Sequence, residues 1–289
     1  MSDLSRSAIC ISMQNMEKKN GKIGFFDSGL GGLTILSKVV EKIPKREYIY
    51  LGDNLRAPYG NRSQKEIFDY TLAGVEWLFR KGAELVILAC NTASANALRR
   101  IQMTVLPDKY PSKRVLGIII PTAEELGALS KSGHLGVLAT KATVMSKTFE
   151  KEAKKCYPEI KISAQSGGKL VEIIEKEQDE KKLQKEIARV IDKLMAKDAL
   201  MDVIILGCTH YGLIKKEIKR ALPSKIQVIG QGEIVAKKLA NYLARHKEIA
   251  QKLSDQSAVY FYTTASDKET KKKMAQFYGE KITVLEAKY

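Results

Sequence analysis

The sequence predicts an α/β protein with two domains whose sheets are mostly parallel. Strand-like apolar runs alternate with helical segments along the whole chain, which is the order that places helices over a parallel sheet. One pattern also occurs twice: an apolar strand runs into a small residue, a cysteine and two polar side chains, once at Cys90 and once at Cys208. This repetition indicates one copy in each half of a duplicated architecture, although two buried strands can also look alike by chance.

Length and composition agree with this prediction. A chain of 289 residues exceeds the usual size of one domain, and 44% hydrophobic with 28% charged residues is typical of a globular protein. No apolar run approaches the roughly 20 residues of a membrane helix, and residues 1–21 carry no convincing cleavage signal. The cysteines lie far apart without a CxxC pair, at Cys10, Cys90, Cys156 and Cys208. We therefore expect free thiols and a cytoplasmic protein with no membrane partner.

The net charge of +16 is the unusual feature of the composition. It comes mainly from lysines interleaved with acidic residues on predicted helix faces, for example over 147–155 and 176–197. We interpret it as a solvated basic surface, and a general attraction for small anions is a second interpretation. A nucleic-acid partner is not expected, because the chain has neither an arginine-aromatic platform nor a helix-turn-helix pattern.

The first strand is predicted over 22–26, and a glycine-rich turn, 27–34, leads from it into a helix that ends near Pro44. Glycines let backbone N–H groups approach a ligand at the start of a helix. The turn resembles a dinucleotide fingerprint, but Thr34 stands where the third glycine would be. Nucleotide binding, a plain tight turn and a small carboxylate ligand all remain open, and the rest of the chain favours the last.

The second strand, 47–51, is followed by Asp53, which would suit a ribose hydroxyl, and by a polar loop over 56–61. A loop at the carboxyl end of a strand is where open α/β sheets keep their ligand groups. Ser63 and Glu66 then form a predicted capping box for the next helix.

Both cysteines of the repeated pattern follow strands that should be buried on both faces, 84–89 and 203–206. Helices are predicted after them, one ending at Leu106 before Pro107 and one over 213–222. A cysteine at such a junction lies near unpaired N–H groups and the positive end of a helix dipole, which favour the thiolate. A lone buried cysteine is more often a packed apolar residue, and it is the repetition that favours a chemical role.

The remaining segments continue the alternation of strands and helices. A lysine-rich helix should end near Cys156, and a long helix should cover 233–252. Further strands are predicted over 115–120, 135–139, 160–164, 227–229, 258–263 and 282–285, and helix caps at Thr122 with Glu125 and at Ser266 with Glu269.

Two thiols that face each other across a cleft can form a disulfide, bind a metal, or place a base and an acid on opposite sides of one carbon atom. The three histidines, His134, His210 and His246, are too scattered to predict a metal site. Proton transfer needs one thiolate and one thiol, and an unperturbed thiol pKa of about 8.5 is already close to neutrality. His210 and the strand-end carboxylates Asp27 and Asp53 are placed in the sequence to adjust these pKa values or to exchange protons with the thiols.

Five motifs carry a resemblance to a known family. In chain order, over about residues 22–245, they are Phe26-Asp27-Ser28-Gly29-Leu30-Gly31-Gly32, Tyr50-Leu51-Gly52-Asp53, Pro58-Tyr59-Gly60, Ala89-Cys90-Asn91-Thr92-Ala93 and Leu206-Gly207-Cys208-Thr209-His210-Tyr211. Together they resemble the glutamate racemase family of the aspartate/glutamate racemase superfamily, and the paired Cys-Asn-Thr and Cys-Thr-His motifs are the most specific part. The resemblance implies two flavodoxin-like domains related by pseudo-twofold symmetry, with the active site in the cleft between them.

The resemblance also implies an isomerase that interconverts L- and D-glutamate without a cofactor or a metal, the D-form being used for cell-wall peptidoglycan and hence for cell shape. Its catalytic residues would be Cys208, which deprotonates L-glutamate, and Cys90, which deprotonates D-glutamate, assisted by Asp27, Asp53 and His210. The substrate-binding residues would be Asp27, Ser28, Pro58, Tyr59, Gly60, Asn91, Thr92, Thr209 and His210, and Glu172 is a further candidate with Glu175 as its rival.

We predict a first domain formed by 22–117 and 228–289 that carries Cys90, a second domain formed by 118–227 that carries Cys208, and an N-terminal extension, 1–21. The segment 164–172 and the sequence Ile120-Pro121-Thr122 depart from the family pattern near the predicted cleft. Racemisation of aspartate, or isomerisation of another small acid, is therefore the alternative function. A nucleotide-binding protein and a pyridoxal phosphate mechanism are the more distant alternatives, and formation of a homodimer is left open.

Overall fold

The computed structural model describes residues 20–177, 179–265 and 267–289, leaving aside the side chains of Lys176 and Glu177. The predicted extension, 1–21, thus lies almost entirely outside the described residues, as does the predicted cap Ser266. None of the helices in these ranges combines the length and the apolar character that a bilayer-spanning segment needs.

The described strands form two sheets, and every pairing in them is parallel. The strands are β1 Lys22–Asp27, β2 Glu47–Gly52, β3 Ala83–Leu88, β4 Arg114–Gly117, β5 His134–Ala139, β6 Lys161–Ser166, β7 Val203–Gly207, β8 Gln227–Ile229, β9 Ala258–Thr263 and β10 Val284–Glu286. The larger sheet has the order β10-β9-β2-β1-β3-β4, and the smaller sheet has the order β6-β5-β7-β8. The predicted α/β fold with parallel sheets is confirmed.

Helices cover the connections between the strands. The α-helices are Leu33–Lys42, Gln64–Arg80, Asn91–Asn96, Leu98–Arg100, Leu106–Lys109, Ile119–Ala123, Leu126–Leu129, Lys141–Ser146, Thr148–Cys156, Leu170–Glu172, Glu180–Met195, Lys215–Arg220, Gly232–Arg245, Lys247–Ala250 and Lys268–Tyr278. Turns of 3₁₀-helix cover Asn54–Arg56, Tyr59–Asn61 and Thr209–Gly212, and π-helical turns cover Ile101–Val105 and Ile173–Glu177.

The two sheets repeat one local strand order. In β2-β1-β3-β4 and again in β6-β5-β7-β8, the third strand is the one that leads to a cysteine. Every residue of β2 and of β7 is buried, as expected for strands covered by helices on both faces. We propose that the two sheets are the cores of the two predicted domains. Because β8 pairs with β7, we place the return of the chain to the first domain after Ile229.

One predicted helix start is confirmed by its local chemistry. The capping box at Ser63 and Glu66 is present, since each side chain accepts a hydrogen bond from the backbone N–H of the other residue. It starts the helix Gln64–Arg80, which packs its apolar face against the larger sheet.

The helical region after Cys90 does not end before Pro107, and this prediction was wrong. Helical turns continue through Ile101–Val105 and Leu106–Lys109. Pro107 stands in the first turn of the last segment, a position in which proline is tolerated.

The strand predicted over 115–120 is present but ends three residues early, and the capping box that should follow it is absent. β4 ends at Gly117, and the apolar residues after it begin the helix Ile119–Ala123. A short buried apolar run fits a strand or a helix equally well, so the periodicity did not distinguish them. Thr122 lies inside this helix and donates a hydrogen bond to the carbonyl oxygen of Ile118 at 2.8 Å, so it does not cap a helix with Glu125.

Two further helix starts differ from the prediction. A 3₁₀ turn, Thr209–Gly212, stands between Cys208 and a shorter α-helix, Lys215–Arg220. The helix Lys268–Tyr278 is capped by Asp267, whose carboxylate accepts from the N–H of Thr270. Aspartate is as effective an N-cap as serine, so the sequence offered two adjacent choices.

Candidate active site

The site is a cavity between the carboxyl ends of the two sheets. It holds about 680 Å³ of space, part of which is open to solvent, and both Cys90 and Cys208 line it. Of the predicted site residues, it is lined by Ser28, Pro58, Tyr59, Gly60, Cys90, Asn91, Thr92, Glu172, Cys208, Thr209 and His210.

Cys90 directly follows β3 and precedes the helix Asn91–Asn96. Its side chain is buried, and its sulfur lies 3.2 Å from the hydroxyl oxygen of Ser28. Burial and, to a smaller extent, the negative charge of Asp27 raise the pKa of Cys90 to about 12, against the opposing effect of hydrogen bonds from Ser28 and from the N–H of Ala93. The predicted preference for the thiolate at this helix N-terminus is wrong for Cys90, because desolvation outweighs it and the thiol keeps its proton.

Cys208 follows β7 and precedes the turn Thr209–Gly212. Its sulfur lies 3.9 Å from Nδ1 of His210, and Nε2 of the same ring lies 2.7 Å from a carboxylate oxygen of Glu175. Burial alone would lower the pKa of His210, but its hydrogen bonds to Cys208 and Glu175 outweigh burial and raise this pKa well above its ordinary value. The arrangement therefore places the His210 ring between the Cys208 sulfur and the Glu175 carboxylate and favours its imidazolium form.

Asp27 is fully buried at the end of β1 and is not among the residues that line the cavity. Its carboxylate accepts a hydrogen bond from the N–H of Gly29 at 2.9 Å. Burial raises the pKa of Asp27, although the charge of His210 and N–H groups of the glycine turn oppose this rise. Asp27 thus acts on Cys90 and His210 through its charge, from behind the cavity wall.

Asp53 also lies behind the wall, where it organises the loop that carries Tyr59. Its carboxylate accepts from the Tyr59 hydroxyl at 2.6 Å, from Arg56 at 3.1 Å and from Thr264 at 2.9 Å. Since its hydrogen-bonding capacity is directed at the protein, its position suits a residue that holds Tyr59 in the cavity rather than one that touches a ligand.

Residues that follow strands of the two sheets approach each other in two places. The hydroxyl of Thr92 lies 2.9 Å from that of Thr140, which follows β5. In the second place, Gly31 lies so close to the turn after β7 that a Cβ atom there would stand 2.3 Å from Oγ1 of Thr209 and 2.6 Å from Nδ1 of His210. Only glycine allows this approach of the two halves.

The two acidic candidates of the second half occupy different places. Glu175 is half-buried and contacts His210, whereas Glu172 is exposed at the edge of the cavity. Both belong to the helical turns after β6, where the sequence departs from the family pattern, so sequence alone could not choose between them.

Among the lining residues that the sequence analysis did not predict are three with polar or charged side chains, Thr140, Lys141 and Ser166. All three stand at or just after the carboxyl ends of β5 and β6. The rule that parallel sheets collect ligand groups at this edge would have found them, had it been applied to every strand and not only to those with a motif. Across the described ranges, no three His, Cys, Asp or Glu side chains are grouped as a metal ion would require.

Two parallel sheets that each bring a cysteine to one shared cavity define the class of this protein. It belongs to the Asp/Glu/Hydantoin racemase family, whose sequence model matches residues 24–239. It is therefore an enzyme of the isomerase class, an amino-acid racemase.

Individual relatives cover nearly the whole chain. The chain is 40% identical to a glutamate racemase of Paracoccus denitrificans over 265 residues, which are 88% of this chain and 96% of that protein. Its fold is similar to the crystal structure of a glutamate racemase isoform from Bacillus anthracis, with a TM-score of 0.85 and 31% identity over 93% of this chain and 98% of the other. It also resembles a glutamate racemase of Francisella tularensis in complex with D-glutamate, with a TM-score of 0.81 and 27% identity over 94% and 98% of the two chains.

Proposed function

We propose that the protein interconverts L- and D-glutamate by a two-base mechanism that uses Cys90 and Cys208 and no cofactor. One observation carries the proposal: two buried thiols from opposite sheets line the same cavity. The names of the relatives support glutamate as the substrate. The predicted catalytic pair and most of the predicted binding residues share this cavity, which supports their proposed roles.

In the direction from L- to D-glutamate, the Cys208 thiolate takes the α-proton, and the electron pair left on the α-carbon is delocalised into the adjacent carboxylate. The Cys90 thiol then gives its proton to the opposite face of that carbon. One proton is removed and one is added, so the enzyme finishes with a Cys208 thiol and a Cys90 thiolate, and the reverse reaction restores the starting state. Proton transfers of this kind contribute about 10²- to 10⁴-fold to a rate.

The surroundings of the two thiols support this assignment. Burial and the charge of Asp27 raise the pKa of Cys90, which suits the acid. Cys208 instead faces His210, whose pKa is raised by its hydrogen bonds to Cys208 and Glu175 despite its burial, so a positive charge lies beside this sulfur. The two thiols therefore have different surroundings, as two different roles in one direction of the reaction require.

The remaining residues have proposed roles that follow from their positions. Ser28, Asn91, Thr92 and Thr209 offer short polar side chains to the ammonium and the α-carboxylate, and the loop Pro58–Gly60 lines the same cavity. Lys141, in the helix that packs against the turn Tyr59–Asn61, supplies a cation for the side-chain carboxylate, and Glu172 lines the same cavity. Asp27 and Asp53 act indirectly, on the charge of the thiols and on the position of Tyr59.

The biological role follows from the proposed product. D-glutamate would be used for peptidoglycan and hence for cell shape. Cys90, Cys156 and Cys208 are free thiols, which supports a reducing, cytoplasmic location.

Aspartate is retained as a second candidate substrate because of one observation. The segment that departs from the family pattern contributes Ser166, Gly168, Val171 and Glu172 to the cavity. Initial racemisation rates on glutamate and aspartate, measured by circular dichroism, distinguish the two candidate substrates. If kcat/KM is higher on aspartate, aspartate replaces glutamate as the proposed substrate.

The two-base proposal is tested with purified protein and no added cofactor. L-glutamate should lose its circular dichroism signal, and in D₂O deuterium should enter the α-position. Cys90→Ser and Cys208→Ser should each lower kcat/KM at least about 100-fold. Cys156→Ser is the matched control, because Cys156 is exposed and lies outside the cavity. Full activity of both cavity variants, together with no deuterium uptake, would refute the mechanism. A coloured protein whose activity needs pyridoxal phosphate would indicate a pyridoxal phosphate mechanism instead.

A further inference from the structure

Gln231 connects Asn91 to the segments where the chain crosses between the two sheets. It follows β8, is buried, and is not among the residues that line the active-site cavity. We infer that Gln231 is a positioning residue, which fixes the orientation of the Asn91 carboxamide and so leaves the oxygen of that carboxamide as the acceptor for the substrate ammonium. The inference rests on the proposed function, and it concerns a residue that acts through Asn91 rather than on the substrate.

The orientation of the Gln231 side chain follows from its partners. Its Nε2 lies 3.2 Å from the carbonyl oxygen of Ile118 and 3.0 Å from Oγ1 of Thr122. A carbonyl oxygen can only accept, and the Thr122 hydroxyl has already donated its hydrogen to the same Ile118 carbonyl at 2.8 Å. Both contacts therefore require the NH₂ group of Gln231, and its oxygen must point the other way.

The orientation of Asn91 follows in turn. The oxygen of Gln231 lies 2.6 Å from the side-chain nitrogen of Asn91, which must donate to it. Asn91 is thereby prevented from exchanging its oxygen and nitrogen by a rotation about its last bond. A carboxamide in a polar cavity would otherwise adopt either orientation at little cost.

The Asn91 oxygen has no hydrogen-bond partner within the described part of the chain, although it is buried. An unpaired buried acceptor is unfavourable, so a ligand with an N–H group gains by supplying the missing bond. The substrate carries three such hydrogens on its ammonium group and none on its carboxylates. Because Asn91 lines the cavity next to Cys90, this bond would hold the α-carbon near the thiol.

The same contacts tie the site to the domain crossings. Ile118 and Thr122 lie where the chain leaves the larger sheet after β4, and Gln231 lies where it returns after β8. Both crossings thus meet at the residue that orients Asn91.

Two substitutions of Gln231 test the inference. Gln231→Met has a similar length but offers Asn91 no acceptor, and KM for glutamate should rise roughly 10- to 100-fold with kcat changed less than about threefold. Gln231→Glu places a buried carboxylate beside the Ile118 carbonyl, so this variant should melt at a lower temperature than Gln231→Met. Because it keeps an acceptor for Asn91, its KM should nevertheless be closer to that of the wild type. A purely structural role predicts the opposite order of KM values, because KM would follow stability.

Controls separate this inference from the proposed function. Gln102 also donates from Nε2 to a backbone carbonyl, that of Val115, away from the cavity, so Gln102→Met should leave KM unchanged. In an Asn91→Ala background, Gln231→Met should change KM less than about twofold, since its target is gone. If the wild-type protein does not racemise glutamate, the Kd for D-glutamate, measured by calorimetry, gives the same comparison among the variants. An unchanged KM and Kd in Gln231→Met, or fully additive effects in the double variant, would overturn the inference.

Discussion

Gly31→Ala tests whether the two halves of the site must approach as closely as the structure shows. The added Cβ atom would lie 2.3 Å from Oγ1 of Thr209, 2.6 Å from Nδ1 of His210 and 2.8 Å from the backbone nitrogen of His210, where an ordinary contact is 3.4 Å or more. A side-chain rotation cannot relieve the contact with the backbone nitrogen. The turn that carries His210 must therefore move by about 1 Å away from the glycine turn.

The size of the effect follows from what this movement disturbs. His210 is held by a 2.7 Å contact with Glu175 and lies 3.9 Å from the Cys208 sulfur, so a shift of about 1 Å changes both. Overpacking of this kind lowers the free energy of unfolding by about 1–3 kcal/mol, and a misplacement of about 1 Å in a site can cost on the order of 100-fold in rate. We expect kcat/KM to fall by that factor while the protein still folds.

The assay is racemisation from both enantiomers, together with a thermal melt. Because the enantiomers have equal free energy in solution, kcat/KM must fall equally in the two directions. Gly212→Ala is the matched control in the neighbouring turn, since its Cβ would meet only Thr34 Oγ1, at 3.8 Å. Activity of Gly31→Ala within threefold of the wild type, or an equal loss in Gly212→Ala, would refute the reasoning.

Two further predictions concern Cys90 and the C-terminus. The pKa of Cys90 is raised to about 12, chiefly by burial, so the folded state keeps a proton that an unfolded thiol releases at a pH of about 8.5. The free energy of unfolding, measured by urea melts, should therefore fall as the pH rises from about 9 towards 12, and it should fall less steeply in Cys90→Ala. An equal pH dependence in the two proteins would contradict this. Tyr289→Ala removes a ring whose centroid lies 5.3 Å from the Arg56 guanidinium, and Arg56 in turn bonds to Asp53, which holds Tyr59. KM for glutamate should rise roughly two- to fivefold in Tyr289→Ala and stay unchanged in Tyr289→Phe, which keeps the ring; equal KM values in the two variants would contradict this prediction.

The local sequence was sufficient for much of the fold. β-branched runs such as Val203–Gly207, the capping residues Ser63 and Glu66, and the regular alternation of elements depend on neighbouring residues, and the structure confirms them. Predictions failed where a local signal had two solutions, as at Pro107 and in the apolar run after Gly117.

The candidate site was predicted in part for a similar reason. Motif residues such as Asn91, Thr92 and Tyr59 do line the cavity with the two cysteines. Thr140 and Ser166 were not predicted, because they carry no motif and reach the cavity only through the pairing of β5 with β6.

The sequence by itself determined that two cysteines end two buried strands of an α/β fold. Only the tertiary structure decided that Cys90 keeps its proton, that Glu175 rather than Glu172 reaches His210, and that Asp53 supports Tyr59 from behind the cavity. The physical reason is that strand and helix formation depend on residues close in the chain. Desolvation and hydrogen-bond geometry instead depend on which distant residues fill the space around a group, as Gln231 does for Asn91.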